Sequence, residues 1–186
     1  MPILGREIDL YPADLLDRPD IGSETGRHWF AFYVRSRQEK QFMRKLQGLQ
    51  IPFYGPTVVK NSRSPSGRMR QSWAPMFSGY VFAYGDDEDR RNALTTNCVS
   101  RWLPVSDGPQ LTHDLRNIRR LIETKAPVTI EAQLEAGDPV RVKAGPFRGL
   151  EGVVVGRRGQ WRLLVAVRFL QQGASVELGD FEVERI

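Results

Sequence analysis

The chain has 186 residues, 40% of them hydrophobic, with 27 Lys and Arg against 22 Asp and Glu, one cysteine and two histidines. Such apolar content can bury one good core or two small ones and excludes a disordered chain, while one thiol and two imidazoles exclude an internal disulfide and are too few for a zinc site, so neither metal nor cofactor is expected. No apolar run approaches the ~18 residues a membrane span needs, and the acidic start MPILGREIDLYPADLLDRPD is unlike a signal peptide, so a cytoplasmic protein without membrane contact is expected.

Charge is unevenly divided. Residues 1–27 carry three Lys/Arg against six Asp/Glu, residues 28–124 fifteen against eight, and residues 125–186 nine against eight. The excess positive charge lies in the middle, which points that region toward an anionic partner. Residues 1–27, with three prolines and no sustained period, read as an acidic, flexible leader outside the core.

The aromatic run His28 to Val34 predicts a central strand. Arg37 to Leu49 places Phe42, Met43, Leu46 and Leu49 on one stripe, an amphipathic helix. Pro52 to Val59 predicts a second strand that its prolines push to an edge or a bulge. Lys60 to Ser72, KNSRSPSGRMRQS, has four basic residues and no acid, and reads as a protruding hairpin tip carrying Lys60, Arg63, Arg68 and Arg70. Met76 to Ala83 returns as a strand, Glu88 to Thr95 is a short helix, Val99 to Leu103 a strand and Thr112 to Thr124 a final helix. Residues 28–124 therefore predict an α/β sandwich, and residues 125–136, with Pro127, a mobile linker.

In residues 137–186, Gly137 to Lys143 and Leu150 to Val155 are short β-type runs on either side of the corner Gly145-Pro146-Phe147, and Leu163 to Val167 is a third run. The pattern G-D-x-V-x-V, G-P-F, G-x-V resembles the KOW motif, which implies a small SH3-like β-barrel. The many β-branched residues and glycines favour strands here over helices. The Trp29 strand, the helix with Lys40 and Leu46, the run Met76 to Phe82 and Val99-Ser100 resemble an NGN domain. Both in this order are similar to the NusG family of transcription elongation and antitermination factors, in particular its specialised RfaH-like members. Two departures stand out: Phe77-Ser78-Gly79-Tyr80 where the family commonly has F-P-G-Y, and the acidic leader with the basic tip.

The resemblance implies an α+β fold, an NGN-like sandwich with an antiparallel sheet followed by a KOW barrel, in a monomer. It implies that an apolar depression on the NGN sheet grips the clamp helices of RNA polymerase, with Trp29, Phe77, Tyr80 and Phe82 at the matching strands. Strand alternation puts Tyr80 on the face of Phe82 and Phe77 on the other. Arg90, Arg91 and Asn92 fall near the helix that in such relatives reads the non-template DNA strand, although four acids, Asp86 to Asp89, precede them; the basic tip is the better candidate for DNA or an acidic polymerase surface. On the barrel, Phe147 and Leu170 match the contacts to the ribosomal protein NusE and to the termination factor Rho. Leu170 stands where the family often has Phe.

No enzyme is expected. His113 and Asp114 are adjacent and so point to different faces, Cys98 has no basic neighbour in sequence, and no phosphate-binding glycine loop is present. A KOW-containing ribosomal or RNA-binding protein is the alternative, but such proteins usually carry their basic excess on the barrel.

Overall fold

The structure is a computed structural model and describes residues 6–133, 137–157, 159–179 and 183–186. It divides into two compact units, residues 1–108 and 109–186.

In the first unit the strands are β1 (Leu10–Tyr11), β2 (His28–Val34), β3 (Phe53–Tyr54), β4 (Thr57–Arg63), β5 (Met69–Pro75), β6 (Tyr80–Gly85) and β7 (Val99–Pro104). Helix α1 (Glu39–Gly48) follows β2 and α2 (Asp87–Leu94) follows β6. Five strands form an antiparallel sheet in the order β1-β3-β6-β2-β7, while among the described residues β4 and β5 pair only with each other. Alternation along β2 sends Phe30, Phe32 and Val34 to one face, where Val81 and Ala83 of β6 and Phe42, Met43 and Leu46 of α1 complete a core that excludes water. The apolar stripe of α1 is therefore the reason it lies on that face. The opposite face carries Trp29, Ala31 and Tyr33 beside Tyr84, Phe82 and Tyr80.

The expectation of a flexible acidic leader is corrected. Leu10 and Tyr11 add an edge strand to the sheet, and Leu15, Leu16 and Ile21 are buried. Three well-buried aliphatic side chains outweigh the local excess of acid, because burial of each stabilises by about 1.5–3 kcal/mol. The strands expected over 52–59 and 76–83 also fall differently. Gly55-Pro56 separates β3 from β4, and a turn at Ser78-Gly79 precedes β6. Phe77 thus lies outside β6, and its expected alternation with Phe82 does not apply.

In the second unit α3 (Gly108–Glu123) leads into β8 (Val128–Glu131), β9 (Pro139–Val142), β10 (Glu151–Arg157), β11 (Gln160–Val167), β12 (Gln172–Glu177) and β13 (Val183–Arg185). The sheet order is β13-β9-β10-β11-β12-β8, all antiparallel. Among the described residues no ladder joins β13 to β8. The strand content follows the β-branched and glycine-rich sequence. Residues 128–131, expected inside the linker, are instead an edge strand with Val128 opposite Val176 and Ile130 opposite Ala174. The β-branched Val128, Thr129 and Ile130 suit a strand that needs a neighbour to satisfy its backbone. Residues 134–136 of the expected linker lie outside the described residues.

Candidate functional site

The end of β2 and the turn before β6 build a groove of about 950 Å³ between the sheet and the β4–β5 ribbon. Gly79 is its keystone. Its φ is 82°, a conformation a side chain resists, and its N–H donates to Glu39 Oε1 at 2.8 Å while its carbonyl accepts the Val34 N–H at 2.8 Å. The buried Glu39 carboxylate at the start of α1 thereby locks the turn to the helix, in the place where a negative charge suits a helix N-terminus. Tyr33 and Tyr80 stand side by side above this turn with ring centroids 5.1 Å apart, and the Arg101 guanidinium lies 5.1 Å from the Tyr33 ring. The groove walls also carry Arg35, Arg37, Lys40, Lys60 and Trp73. Four cations against one engaged carboxylate, with two aromatic side chains, make a surface for an anionic, flat-ringed ligand or an acidic protein edge.

Of the four aromatics expected to meet polymerase, three are interior. Trp29 and Phe77 are each 1% exposed and Phe82 0%, with Trp29 packed on Tyr84 at 5.2 Å. Their surface is spent on the core, and only the partly exposed Tyr80 remains available. Tyr33, 36% exposed and opposite Tyr80 on β2, is the partner that sequence reading missed. The alternation of β2 was the signal for it, since Tyr33 shares a face with Trp29 but lies at the strand's end.

The basic residues Lys60, Arg63, Arg68 and Arg70 are all exposed along the β4–β5 ribbon, and Lys60 also lines the groove. The helix cluster is less available than its sequence suggests. Arg90 lies 4.4 Å over the Trp102 ring and bonds Asp87 Oδ1 at 3.2 Å, leaving Arg91 and Asn92 exposed. The acids before them start α2: Asp86 Oδ1 accepts the Asp89 N–H at 2.9 Å and Asp89 Oδ2 accepts the Asp86 N–H at 3.2 Å, a reciprocal cap. The backbone N–H of Asp89 holds the Asp86 carboxyl below its usual range.

In the second unit Phe147 is 5% exposed, so it offers little contact surface, whereas Leu170 is half-buried in the 3₁₀ turn Arg168–Leu170. The Arg168 N–H that opens this turn donates to Asp114 Oδ2 at 2.9 Å, and Gln110 Nε2 donates to Asp114 Oδ1 at 2.8 Å. Burial pushes the Asp114 carboxyl up, against the pull of these donors. The neighbouring His113 Nε2 lies 2.8 Å from Glu151 Oε2, and Arg141 bonds the other oxygen of Glu151 at 2.6 Å. Burial raises the Glu151 carboxyl, but Arg141 and His113 outweigh it and leave it lowered. His113 therefore ties α3 to β10, and Asp114 ties it to the 3₁₀ turn after β11.

The family model described as "Transcription termination factor nusG" matches residues 27–134, more than half of the chain. The chain belongs to the NusG family. Members of this family are non-enzymatic transcription factors, in keeping with an α+β fold whose groove is built of basic and aromatic side chains. A solved structure titled as the MjSpt4:Spt5 complex, conformation B, is similar at 18% identity over 85% of this chain and 97% of that one, with a TM-score of 0.29. Comparison with curated proteins finds no significant match. Among the described residues no helix is long and apolar enough to cross a membrane, and no group of His, Cys, Asp and Glu could hold a metal ion.

Proposed function

We propose that this NusG-family protein is a transcription elongation and antitermination factor that docks on the clamp helices of RNA polymerase through Tyr33 and Tyr80, and that its basic groove and ribbon follow an exposed nucleic-acid strand, the non-template DNA. The observation that carries this reading is the groove itself, in which the exposed Tyr33, its ring against that of the partly exposed Tyr80, adjoins Arg35, Arg37, Lys40 and Lys60. Paired tyrosines present a large, rigid contact area at a small entropy cost, the profile of an interface anchor. The cations beside them suit phosphate, which they would bind in exchange for released counterions. By binding the closed clamp more tightly than the open one, the protein would shift the polymerase toward its elongating state, by no more than that difference in affinity. The KOW segment, residues 137–186, would recruit a further partner such as NusE or Rho through the turn that carries Leu170.

The test is co-elution with RNA polymerase. Tyr80→Ala leaves the fold intact, because the ring is partly exposed, and is expected to weaken capture by about 1–3 kcal/mol. Capture equal to that of the unmodified protein, with Tyr33→Ala equally silent, would overturn the reading.

A further inference from the structure

The β4–β5 ribbon makes no ladder with the five-stranded sheet. A lone two-stranded ribbon is marginal in water, and its direction is decided where its base is held. The segment that holds the base lies before residue 27, where the family match begins.

Asp9, 7% exposed, receives the Thr57 N–H on Oδ2 at 3.2 Å and the Thr57 hydroxyl on the same oxygen, which fixes the first residue of β4. The Asp9 carbonyl accepts the Gly55 N–H at 2.8 Å, one step before the ribbon starts. Arg6 reaches the other strand. Its guanidinium lies 4.7 Å over the Trp73 ring of β5 and donates through Nη2 to Asp9 Oδ2 at 2.9 Å. Glu7, between them, forms a two-pronged ion pair with Arg44 of α1, at 2.5 and 2.8 Å, and Tyr11, just after Asp9, stacks on Phe53 at 6.1 Å. The segment is thus bolted to helix and sheet on one side and grips both ribbon strands on the other.

We propose that Arg6 and Asp9 are positioning residues, forming a brace that holds the basic ribbon at the angle at which Lys60, Arg63, Arg68 and Arg70 meet their partner. That the partner is a nucleic-acid strand rests on the function proposed above. A braced ribbon has fewer orientations to lose on binding, so the brace raises affinity without adding a phosphate contact. Arg6 already faces Asp9 and Trp73, so its charge is engaged within the brace. Loss of the brace therefore has a signature distinct from loss of a ribbon cation: affinity falls, but its dependence on salt does not change.

The experiment uses the full chain with Arg6→Ala, Asp9→Asn and Arg6→Lys. Amide hydrogen exchange is followed in residues 57–63 and 69–75, with the amides of β2 and β6 as the internal reference. Binding of a fluorescent single-stranded DNA oligonucleotide is measured over a range of salt. In Arg6→Ala, ribbon exchange is expected to rise about tenfold while β2 and β6 stay unchanged, because only the base contacts of the ribbon are lost. Oligonucleotide affinity is expected to fall about three- to tenfold with an unaltered salt slope, and Arg6→Lys, which keeps a cation over Trp73, should restore most of both. Arg6 is 45% exposed, so Arg6→Ala carries the test even where the buried Asp9 substitution disturbs folding. Ribbon exchange unchanged in Arg6→Ala, or a flattened salt slope in that variant, would overturn the brace. Faster ribbon exchange in a protein whose unmodified form fails to bind the oligonucleotide would support the brace and sink the nucleic-acid reading instead.

Discussion

Replacing Gly79 by alanine tests the groove at the point where fold and function meet. A Cβ placed on Gly79 would lie 2.8 Å from Cε2 of Tyr33, and the backbone there has a φ of +82°. The left-handed conformation costs a non-glycine residue about 1–2 kcal/mol. The Tyr33 ring is exposed enough to swing away, so the clash is relieved by losing its contact with Tyr80, worth about 0.5–1.5 kcal/mol. The two together come to about 1.5–3.5 kcal/mol, less than the stability of an ordinary domain, so the variant stays folded. Gly26→Ala is the control, because Gly26 has a φ of +81° with nothing within 4 Å of an added Cβ, and so carries the backbone term alone. Urea unfolding followed by tryptophan fluorescence gives both losses, and the same proteins are assayed for capture of RNA polymerase. Gly79→Ala is expected to be less stable than Gly26→Ala and to bind polymerase more weakly, with Gly26→Ala binding normally. Equal loss of stability in the two variants would show that Tyr33 does not press on Gly79 and would remove the basis for treating the turn as the organiser of the site.

Trp29→Ala, at a position 1% exposed, should cost about 3–5 kcal/mol in the same unfolding experiment, and any loss of polymerase capture should track the unfolded fraction rather than a lost contact. Reversing two ribbon charges, Arg63→Glu with Arg68→Glu, should weaken association with the elongation complex and flatten its salt dependence, which a titration in salt reads directly. Asp114→Asn reports on the buried carboxyl beneath Arg168. Because the folded protein raises that pKa, the stability Asp114 contributes is fully present below its unfolded value and is lost as pH rises through the folded value. The stability of Asp114→Asn relative to the unmodified chain should therefore increase as pH rises from below the ordinary aspartate range through the raised value, and a difference independent of pH would refute the assignment.

Local pattern was enough for the elements whose periodicity is strong. The stripe of Phe42, Met43 and Leu46 marks α1, the alternation through Phe30, Phe32 and Val34 marks β2, and the G-D-x-V-x-V run marks β9 of the second unit, since each pattern reflects a face that must leave water whatever surrounds it, while G-P-F marks the turn that follows β9. The basic ribbon was legible too, because a run with four cations and no acid has no interior to occupy. Tertiary structure alone decided which aromatics are spent on the core and which remain at the surface. Alternation in the sequence puts Phe82 and Tyr80 on one face and the register of β2 on β6 adds Trp29 to it, yet neighbours cover Trp29 and Phe82 and leave Tyr80 beside Tyr33. It also decided the fate of residues 6–27 and 128–131, whose composition resembles loop but whose backbone groups and few aliphatic side chains find partners far along the chain: Leu10 opposite Tyr54, Asp9 on Thr57, Val128 opposite Val176. Short segments of this kind carry too little apolar area to declare themselves, and their order comes from contacts that no local window contains.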